Sequence, residues 1–356
     1  MHMANQELQF SVIICVYNAP HKYLSECLNS VIAQHYDNIE IIIIDDGSDN
    51  QDTLSCLEKY ETTYNGKKTL IVKHQPNGGQ GKARNTGMSL ATGDYLMFLD
   101  NDDYYMSATL FGDLSVLLSE SNADLCSFEY EEFYNESQRP IVKKGSLPRD
   151  KVNGKPTDQA IKTLLSASRR VFSAVTHTKV IKASMMKEHS ILVPEGLKNE
   201  DNYLTAKIIS RAKTFDRLDK VVYAYRRTNI ASISARHDNS YKIAADILTQ
   251  FDMLLSDSLC GNNKNVLDFL ASPYIYVMGK TVSAKLYSSG EDIQSLINVL
   301  NRYKYILNHS SRLSVRLVGI VAGIFGVEFV LSLLRVLLTI NRKHMLSVSR
   351  KSMSMN

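Results

Sequence analysis

The sequence predicts an α/β protein with a mostly parallel central sheet and a helical C-terminal region. Between residues 9 and 134, short runs of β-branched residues alternate with segments of helical periodicity, and the runs end in polar residues. Strands that alternate with helices of this length are typical of βαβ units with right-handed crossovers. After residue 239 the pattern is helical throughout. We therefore expect a sheet-based domain followed by helices.

The elements can be assigned in order along the chain. The predicted strands cover residues 11–16, 39–44, 69–73 and 95–99, and the helices between them cover 23–33, 53–64 and 81–91. A polar loop or hairpin over 135–156 precedes helices at 180–189 and 202–212, and three more helices cover 241–255, 266–286 and 293–307. We divide the chain into a domain over 9–235, a helical region over 236–310 and amphipathic helices over 311–345.

Composition excludes some classes of protein. A net charge of +4 over 356 residues is too small to indicate nucleic-acid binding. The five cysteines are odd in number and lack a C-x-x-C pair, which favours free thiols in a reducing compartment. The first apolar run, residues 10–16, is only long enough for a strand, so we expect no secretory signal and a cytoplasmic protein.

The acidic stretch after the fourth strand is the centre of the predicted site. Asp100, Asn101 and Asp102 directly follow the apolar run, so they lie at the carboxyl end of a buried strand, where open α/β sheets bind ligands. Asp100 and Asp102 could reach one hard cation together, and oxygen ligands suit Mg²⁺ or Mn²⁺ bridging a diphosphate. The alternative is an acidic turn that caps the next helix.

The ends of the first two strands should lie at the same edge of the sheet. Tyr17 could stack on a base, and Asp45 or Asp46 could accept hydrogen bonds from a base or a ribose. Equally, Asp45 and Asp46 could begin a turn and cap the following helix.

A glycine-rich loop, residues 76–87, precedes the acidic stretch. It carries Lys82 and Arg84 into a helix start, an arrangement that can face anionic oxygens. The loop is neither a Walker A sequence nor a G-x-G-x-x-G fingerprint, and a flexible loop with a capped helix is the alternative.

Four motifs in this order resemble the family 2 glycosyltransferases of the GT-A fold: residues 11–18, 43–49, 77–87 and 98–103. The resemblance covers residues 9–135 and implies an inverting transfer from a nucleotide-diphosphate sugar with a divalent metal, Mn²⁺ or Mg²⁺. It implies that Asp102 and Asp100 hold the metal. It also implies donor contacts from Val16, Tyr17, Asn18, Asp45, Asp46, Lys82, Arg84, Asp100, Asn101 and Arg226.

A second group of acids, Glu200 and Asp201, also resembles the family. There an Asp after a Glu, near a helix start beyond the acceptor region, serves as the base. Inverting transfer requires one base to take the proton of the attacking hydroxyl, so Asp201 is the candidate base and Glu200 its support. The alternative is a pair of acids at a helix N-terminus. Further on, Arg226 could close over the diphosphate and His237 could add a metal ligand.

The apolar segment 313–340 leaves three roles open. It is interrupted by Arg316, Glu328 and Arg335, and its longest uncharged run, residues 317–327, falls short of the 20 or so apolar residues of a spanning helix. Basic residues border it, which favours docking on anionic lipid at the cytoplasmic face of the inner membrane. A homodimer contact and internal packing are the alternatives.

Taken together, the sequence predicts an inverting glycosyltransferase. The resemblance implies bacterial surface glycan synthesis, with a UDP-sugar donor and a glycan or lipid-linked glycan acceptor. A non-catalytic scaffold that binds nucleotide sugars or glycans is the second hypothesis. A nucleotidyltransferase is the third, although it should carry a glycine-rich cationic loop directly after the first strand, where this chain has Tyr17-Asn18-Ala19-Pro20.

Overall fold

The computed structural model describes residues 7–137, 139–153, 155–167, 171–228, 240–284 and 290–336. The chain divides into two compact units, Met1–Ala235 and Arg236–Asn356. Among the described residues, no helix has both the length and the apolar character that crossing a membrane requires.

The first unit begins with alternating strands and helices, as predicted. They are β1 (Phe10–Val16), α1 (His21–Ile32), β2 (Ile39–Asp45), α2 (Gln51–Thr63), β3 (Thr69–His74), α3 (Gln80–Leu90) and β4 (Tyr95–Phe98). The four strands pair in parallel in the order β3-β2-β1-β4. Every residue of β2 is buried, as expected for a strand covered on both faces.

The rest of the first unit adds shorter strands and helices to this core. They are β5 (Tyr104–Tyr105), α4 (Leu110–Ser121), β6 (Leu125–Phe133), β7 (Lys143–Lys144), α5 (Thr157–Ser166), β8 (Lys179–Lys182), α6 (Ala183–Glu188), α7 (Asp201–Arg211) and β9 (Phe215–Arg226), with short 3₁₀ turns at Arg149–Lys151 and Thr176–Thr178.

Antiparallel pairing enters the sheet at β8. The sheet continues β4-β8-β6-β9-β5, with β7 on β9, and β8 is antiparallel to both of its neighbours. The predicted helix over 180–189 is therefore wrong over its first three residues, which belong to β8. Val180 and Ile181 are fully buried in β8, between β4 and β6, and adjacent β-branched residues suit such a central strand. The helix covers only residues 183–188.

The second unit is helical, as predicted. Its helices are α8 (Ser240–Ser256), α9 (Ser258–Gly261), α10 (Lys264–Ala284), α11 (Gly290–Tyr303), a 3₁₀ turn (Lys304–His309) and α12 (Leu313–Phe325), followed by α13 over residues 327–336. The predicted free thiols are also confirmed, since all five cysteines are unpaired and four of them are buried.

Candidate functional site

The loops after β1 and β4 meet at one edge of the sheet. The side-chain amide of Asn101 donates to the carbonyl oxygen of Cys15 over 2.8 Å, which fixes the acidic loop to the end of β1. Asn18 in turn exchanges hydrogen bonds with Asp49 and so ties the β1 loop to the β2 loop. Tyr17 is 52% exposed beside Val16, which is buried. An aromatic face is thus available to a ligand at this edge.

Asp45 and Asp46 are almost completely buried and hydrogen-bond to the loops around them. Asp45 accepts from the Ser48 amide at 3.0 Å and pairs with the imidazole of His74 at 2.8 Å. Asp46 accepts from the backbone amides of Gly78 and Gly79 at 3.0 and 2.7 Å. The Asp45–Ser48 contact is the turn of the alternative interpretation, but Asn50 rather than either aspartate caps α2. Both carboxylates shape the edge of the site.

Arg84 lies at the centre of a carboxylate cluster. Its guanidinium, 2% exposed, donates to Glu200 at 2.9 Å and to Asp201 at 2.5 Å, and it lies 3.7 Å from Asp100. Burial alone would lower the pKa of Arg84, but the three acids outweigh burial and raise it, so the side chain stays charged. The motif residue Arg84 therefore joins the two acidic groups that the sequence predicted separately.

The Asp201 carboxylate is held by hydrogen bonds and is still partly exposed to solvent. It is the first residue of α7, and its Oδ1 accepts from Arg84 and, at 2.8 Å, from the Thr176 hydroxyl. Among the described residues, both hydrogen bonds to this carboxylate use Oδ1, and the side chain is 26% exposed. A carboxylate held by one oxygen and partly open to solvent can present its second oxygen to a substrate proton.

Glu200 is enclosed instead. Its side chain is 6% exposed, and burial raises the pKa of its carboxyl although the Arg84 charge opposes that shift; the neighbouring Asp201 charge raises it further. Glu200 therefore supports Arg84 and Asp201 from behind and has little access to solvent.

His177 is a site residue that no motif indicated. Its Nδ1 lies 3.2 Å from Oδ2 of Asp100, and its ring stacks on Tyr223 at 4.3 Å between centroids. Among the described residues, the buried Nε2 has no hydrogen-bond partner. Burial alone would raise the pKa of Asp100, but His177 and then Arg84 outweigh it and hold the pKa below its usual range.

Asp100, Asp103 and His177 could hold a metal ion, since one ligand atom from each lies within 4.8 Å of the others. Asp103, however, is fully buried, accepts from the Tyr223 hydroxyl at 2.7 Å, and has a pKa raised well above its usual range by burial and then by Asp102 and Asp100. Asp102 is partly exposed and is more accessible to a cation.

Arg226 holds the acidic loop in place. Its guanidinium is fully buried, donates to the Asp102 carbonyl at 2.7 Å and pairs with Glu26 and Glu136. These contacts favour a structural role for Arg226, as the support of the acidic loop from its buried side. Lys82 is partly exposed, while His237 lies outside the described residues.

Helix α3 binds the segment that precedes the candidate base. Asn85 and Val193 exchange two hydrogen bonds, of 2.9 and 2.8 Å. A Cβ at Gly81 would lie 2.4 Å from the Pro194 carbonyl oxygen, so only glycine permits this close approach. The glycine-rich motif thus positions the acids more than one hundred residues later in the sequence.

A parallel βαβ half with acids at its strand ends is extended by a mixed half, in which β8 is antiparallel to its neighbours and β6 pairs with β9 in parallel, and this architecture is that of the GT-A folds. Solved structures share it. TarS residues 1–349 from S. aureus, crystallised with UDP-GlcNAc, matches with a TM-score of 0.64 at 22% identity, over 90% of this chain and 89% of that one. A mannosyltransferase from Pyrobaculum calidifontis, in complex with GDP-Man and Mn²⁺, matches with a TM-score of 0.54 at 15% identity, over 90% and 88%.

Sequence comparison gives the family. Residues 11–162 match the family described as Glycosyl transferase family 2. The poly(ribitol-phosphate) β-N-acetylglucosaminyltransferase TarS of Staphylococcus aureus is 31% identical over 221 residues, which is 61% of this chain and 35% of TarS. YibD of Escherichia coli, an uncharacterised glycosyltransferase, is 29% identical over 67% of each chain. Residues 11–162 therefore carry a family 2 glycosyltransferase domain, and the chain spans about a third of TarS.

Proposed function

We propose that this chain is a metal-assisted, inverting glycosyltransferase that moves a sugar from a UDP-sugar to a hydroxyl group of a glycan, with Asp201 as the general base. The single observation that carries the proposal is the buried Arg84 between Asp100 and the Glu200–Asp201 pair. The Arg84 guanidinium thereby holds Asp100, on the donor side, at a fixed distance from Asp201, the carboxylate that can take a proton.

The bond changes follow from this arrangement. The acceptor hydroxyl gives its proton to Oδ2 of Asp201 while its oxygen bonds to the anomeric carbon. The bond between that carbon and the diphosphate oxygen breaks, and the nucleoside diphosphate leaves with the electron pair. Attack from the face opposite the leaving group inverts the anomeric centre. Thr176 and Arg84 keep Oδ1 occupied, so they orient the base during the transfer.

Donor binding involves the edge formed by the β1 and β4 loops. We assign base stacking to Tyr17, ribose or sugar contacts to Asp100, and phosphate contacts to Lys82. The match to a TarS structure in complex with UDP-GlcNAc supports UDP-GlcNAc as the first donor to test.

A divalent metal fits the residues present. Asp100 and Asp102 offer carboxylate oxygens, and a nitrogen of His177 lies beside Asp100, since its Nδ1 is 3.2 Å from Oδ2 of that residue. When bound, Mn²⁺ or Mg²⁺ would neutralise charge on the departing diphosphate. Arg226, buried beneath the acidic loop, holds Asp102 for this purpose.

The class of acceptor is inferred from the names of related proteins. TarS is named a poly(ribitol-phosphate) N-acetylglucosaminyltransferase, which supports a bacterial cell-surface glycan, free or lipid-linked, as the acceptor class. We place the reaction in the cytoplasm.

The test is hydrolysis of nucleotide sugars by the purified full chain, measured as released nucleotide with Mn²⁺, with Mg²⁺ and with EDTA. We expect metal-dependent turnover of one UDP-sugar. With an α-linked donor, NMR should show the β-anomer of the released sugar first. Retention of the α-anomer would overturn the inverting mechanism, and tight donor binding without turnover in the presence of glycan acceptors would favour the scaffold.

A further inference from the structure

Helices α12 and α13 present a broad apolar face to solvent. Large apolar side chains from residue 313 to residue 336 are between 44% and 69% exposed: Leu313, Leu317, Ile320, Ile324, Phe325, Phe329, Leu333 and Val336. Contiguous apolar surface of this kind marks an interaction site on a folded protein. The rings of Phe325 and Phe329 lie 5.1 Å apart and join the two helices into one patch.

The exposed side chains form one face of each helix. On α12 they recur every three or four residues, whereas Gly319 and Ala322 point the other way and are buried. A Cβ at Gly319 would lie 2.8 Å from Cβ of Leu307, so this inner side packs closely on the preceding 3₁₀ turn. Val330 and Leu331 of α13 are likewise buried. The inner side holds the helices in the unit, and the outer side is free for another surface.

The part of the sequence that contains this face is rich in basic residues. After Asp292 the sequence has one acidic residue, Glu328, against nine basic residues: Arg302, Lys304, Arg312, Arg316, Arg335, Arg342, Lys343, Arg350 and Lys351. Arg316 and Arg335 are exposed on the same helices as the apolar side chains. Basic residues beside an apolar helical face complement an anionic lipid surface.

We propose that the outer face of α12 and α13 docks in the plane of a membrane that contains anionic phospholipid. α12 has 13 residues and is about 20 Å long, so its apolar side chains can enter the acyl boundary along its length. A second copy of the chain fits less well, because a two-fold contact would bring two equally basic patches together. The inference does not depend on the transfer reaction.

The experiment is co-sedimentation of the full chain with vesicles of phosphatidylcholine alone or of phosphatidylcholine with phosphatidylglycerol, at low and high salt. We expect binding to the anionic vesicles, weaker binding to the neutral ones, and a decrease with salt. The double variant Leu317→Glu/Ile324→Glu should reduce partitioning by about tenfold or more, because two apolar anchors become charged. Leu259→Glu, at a 54% exposed position of α9, is compared with the single variant Leu317→Glu, at a 52% exposed position, and should bind like the parent chain.

Three results would overturn the inference: no binding of the parent chain to anionic vesicles, equal binding by the double variant, or a dimer in light scattering that the double variant converts to a monomer. Circular dichroism checks that the variants fold. Donor hydrolysis should be unchanged in the double variant, which separates this surface from the catalytic site.

Discussion

Arg84 is the residue on which the candidate site depends. A buried charge costs several kcal/mol unless it is paired, and here three carboxylates compensate one guanidinium. The dependence is mutual, because the Glu200 side chain is also buried and the Arg84 charge opposes the rise of its pKa. The sequence indicated Arg84 as a donor contact, whereas its role in joining both acidic groups could only be seen once the chain had folded.

Replacing Arg84 should therefore destabilise the protein. We expect Arg84→Met to lower the free energy of unfolding by about 3–5 kcal/mol, measured by urea denaturation, because it leaves buried acids without their cation. The loss should shrink as the pH falls, because Glu200, whose pKa is already raised, then takes up a proton. Adding Glu200→Gln should recover part of the loss, and strictly additive effects of the two substitutions would contradict the pairing.

At the scale of elements, α3 connects the glycine-rich motif to the base. Gly81 and Gly112 give a matched test, since each is a helical glycine and only Gly81 has a close neighbour at the position of a Cβ. We expect Gly112→Ala to stabilise the protein by about 0.5–1 kcal/mol, because alanine favours helix. Gly81→Ala should instead destabilise it by about 1–3 kcal/mol and reduce turnover, because the Pro194 segment must move. Thermal melts measure the stability of the two variants, and donor hydrolysis measures their turnover. Stabilisation by both substitutions would contradict the close approach of Gly81 to the Pro194 carbonyl oxygen.

The end of β9 is anchored by an ion cluster that should respond to pH. Although burial alone would raise the pKa of Glu136, hydrogen bonds from Thr228 and Arg226 lower it to about 2, below the ordinary 4.5. A lowered pKa contributes stability above pH 4.5, and this contribution is lost as the pH falls toward 2. Glu136→Gln should thus have a lower urea midpoint than the parent near neutral pH and the same midpoint near pH 2. Glu120→Gln, at an exposed position of α4, is the control. A difference that persists to low pH would contradict the pairing.

Sequence patterns predicted the elements of the parallel half of the sheet to within two residues or so, because each strand there is an apolar run bounded by polar loops. They failed at β8, where Val180 and Ile181 fit either a buried strand or a helix and only pairing with β4 and β6 decides. His177 could not be predicted for a related reason. It follows no motif, and it approaches Asp100 only because the β4–β8 pairing brings residues far apart in sequence together.

In the first unit, one half of the sheet carries the proposed donor-binding residues and the other carries the proposed base. The parallel half supplies the donor edge through the loops after β1 and β4, and segments around the mixed half, which contains β8, β6 and β9, supply Thr176, His177 and the base. Arg84 and the β4–β8 pairing are the links between the halves. This division explains why the resemblance read from the sequence was densest in residues 9–135, where the motifs are local.

The most direct test of the central claim is Asp201→Asn, assayed for both donor hydrolysis and donor binding. Asparagine can still accept from Arg84 and Thr176, so the geometry should survive while the base is lost. We expect turnover to fall by about 10²- to 10⁴-fold with unchanged donor affinity by calorimetry. Asp52→Asn, in the first turn of α2, removes an acid from a comparable helix position and should be silent. Unchanged turnover in Asp201→Asn, or an equal loss of donor binding, would contradict the assignment of Asp201 as the base.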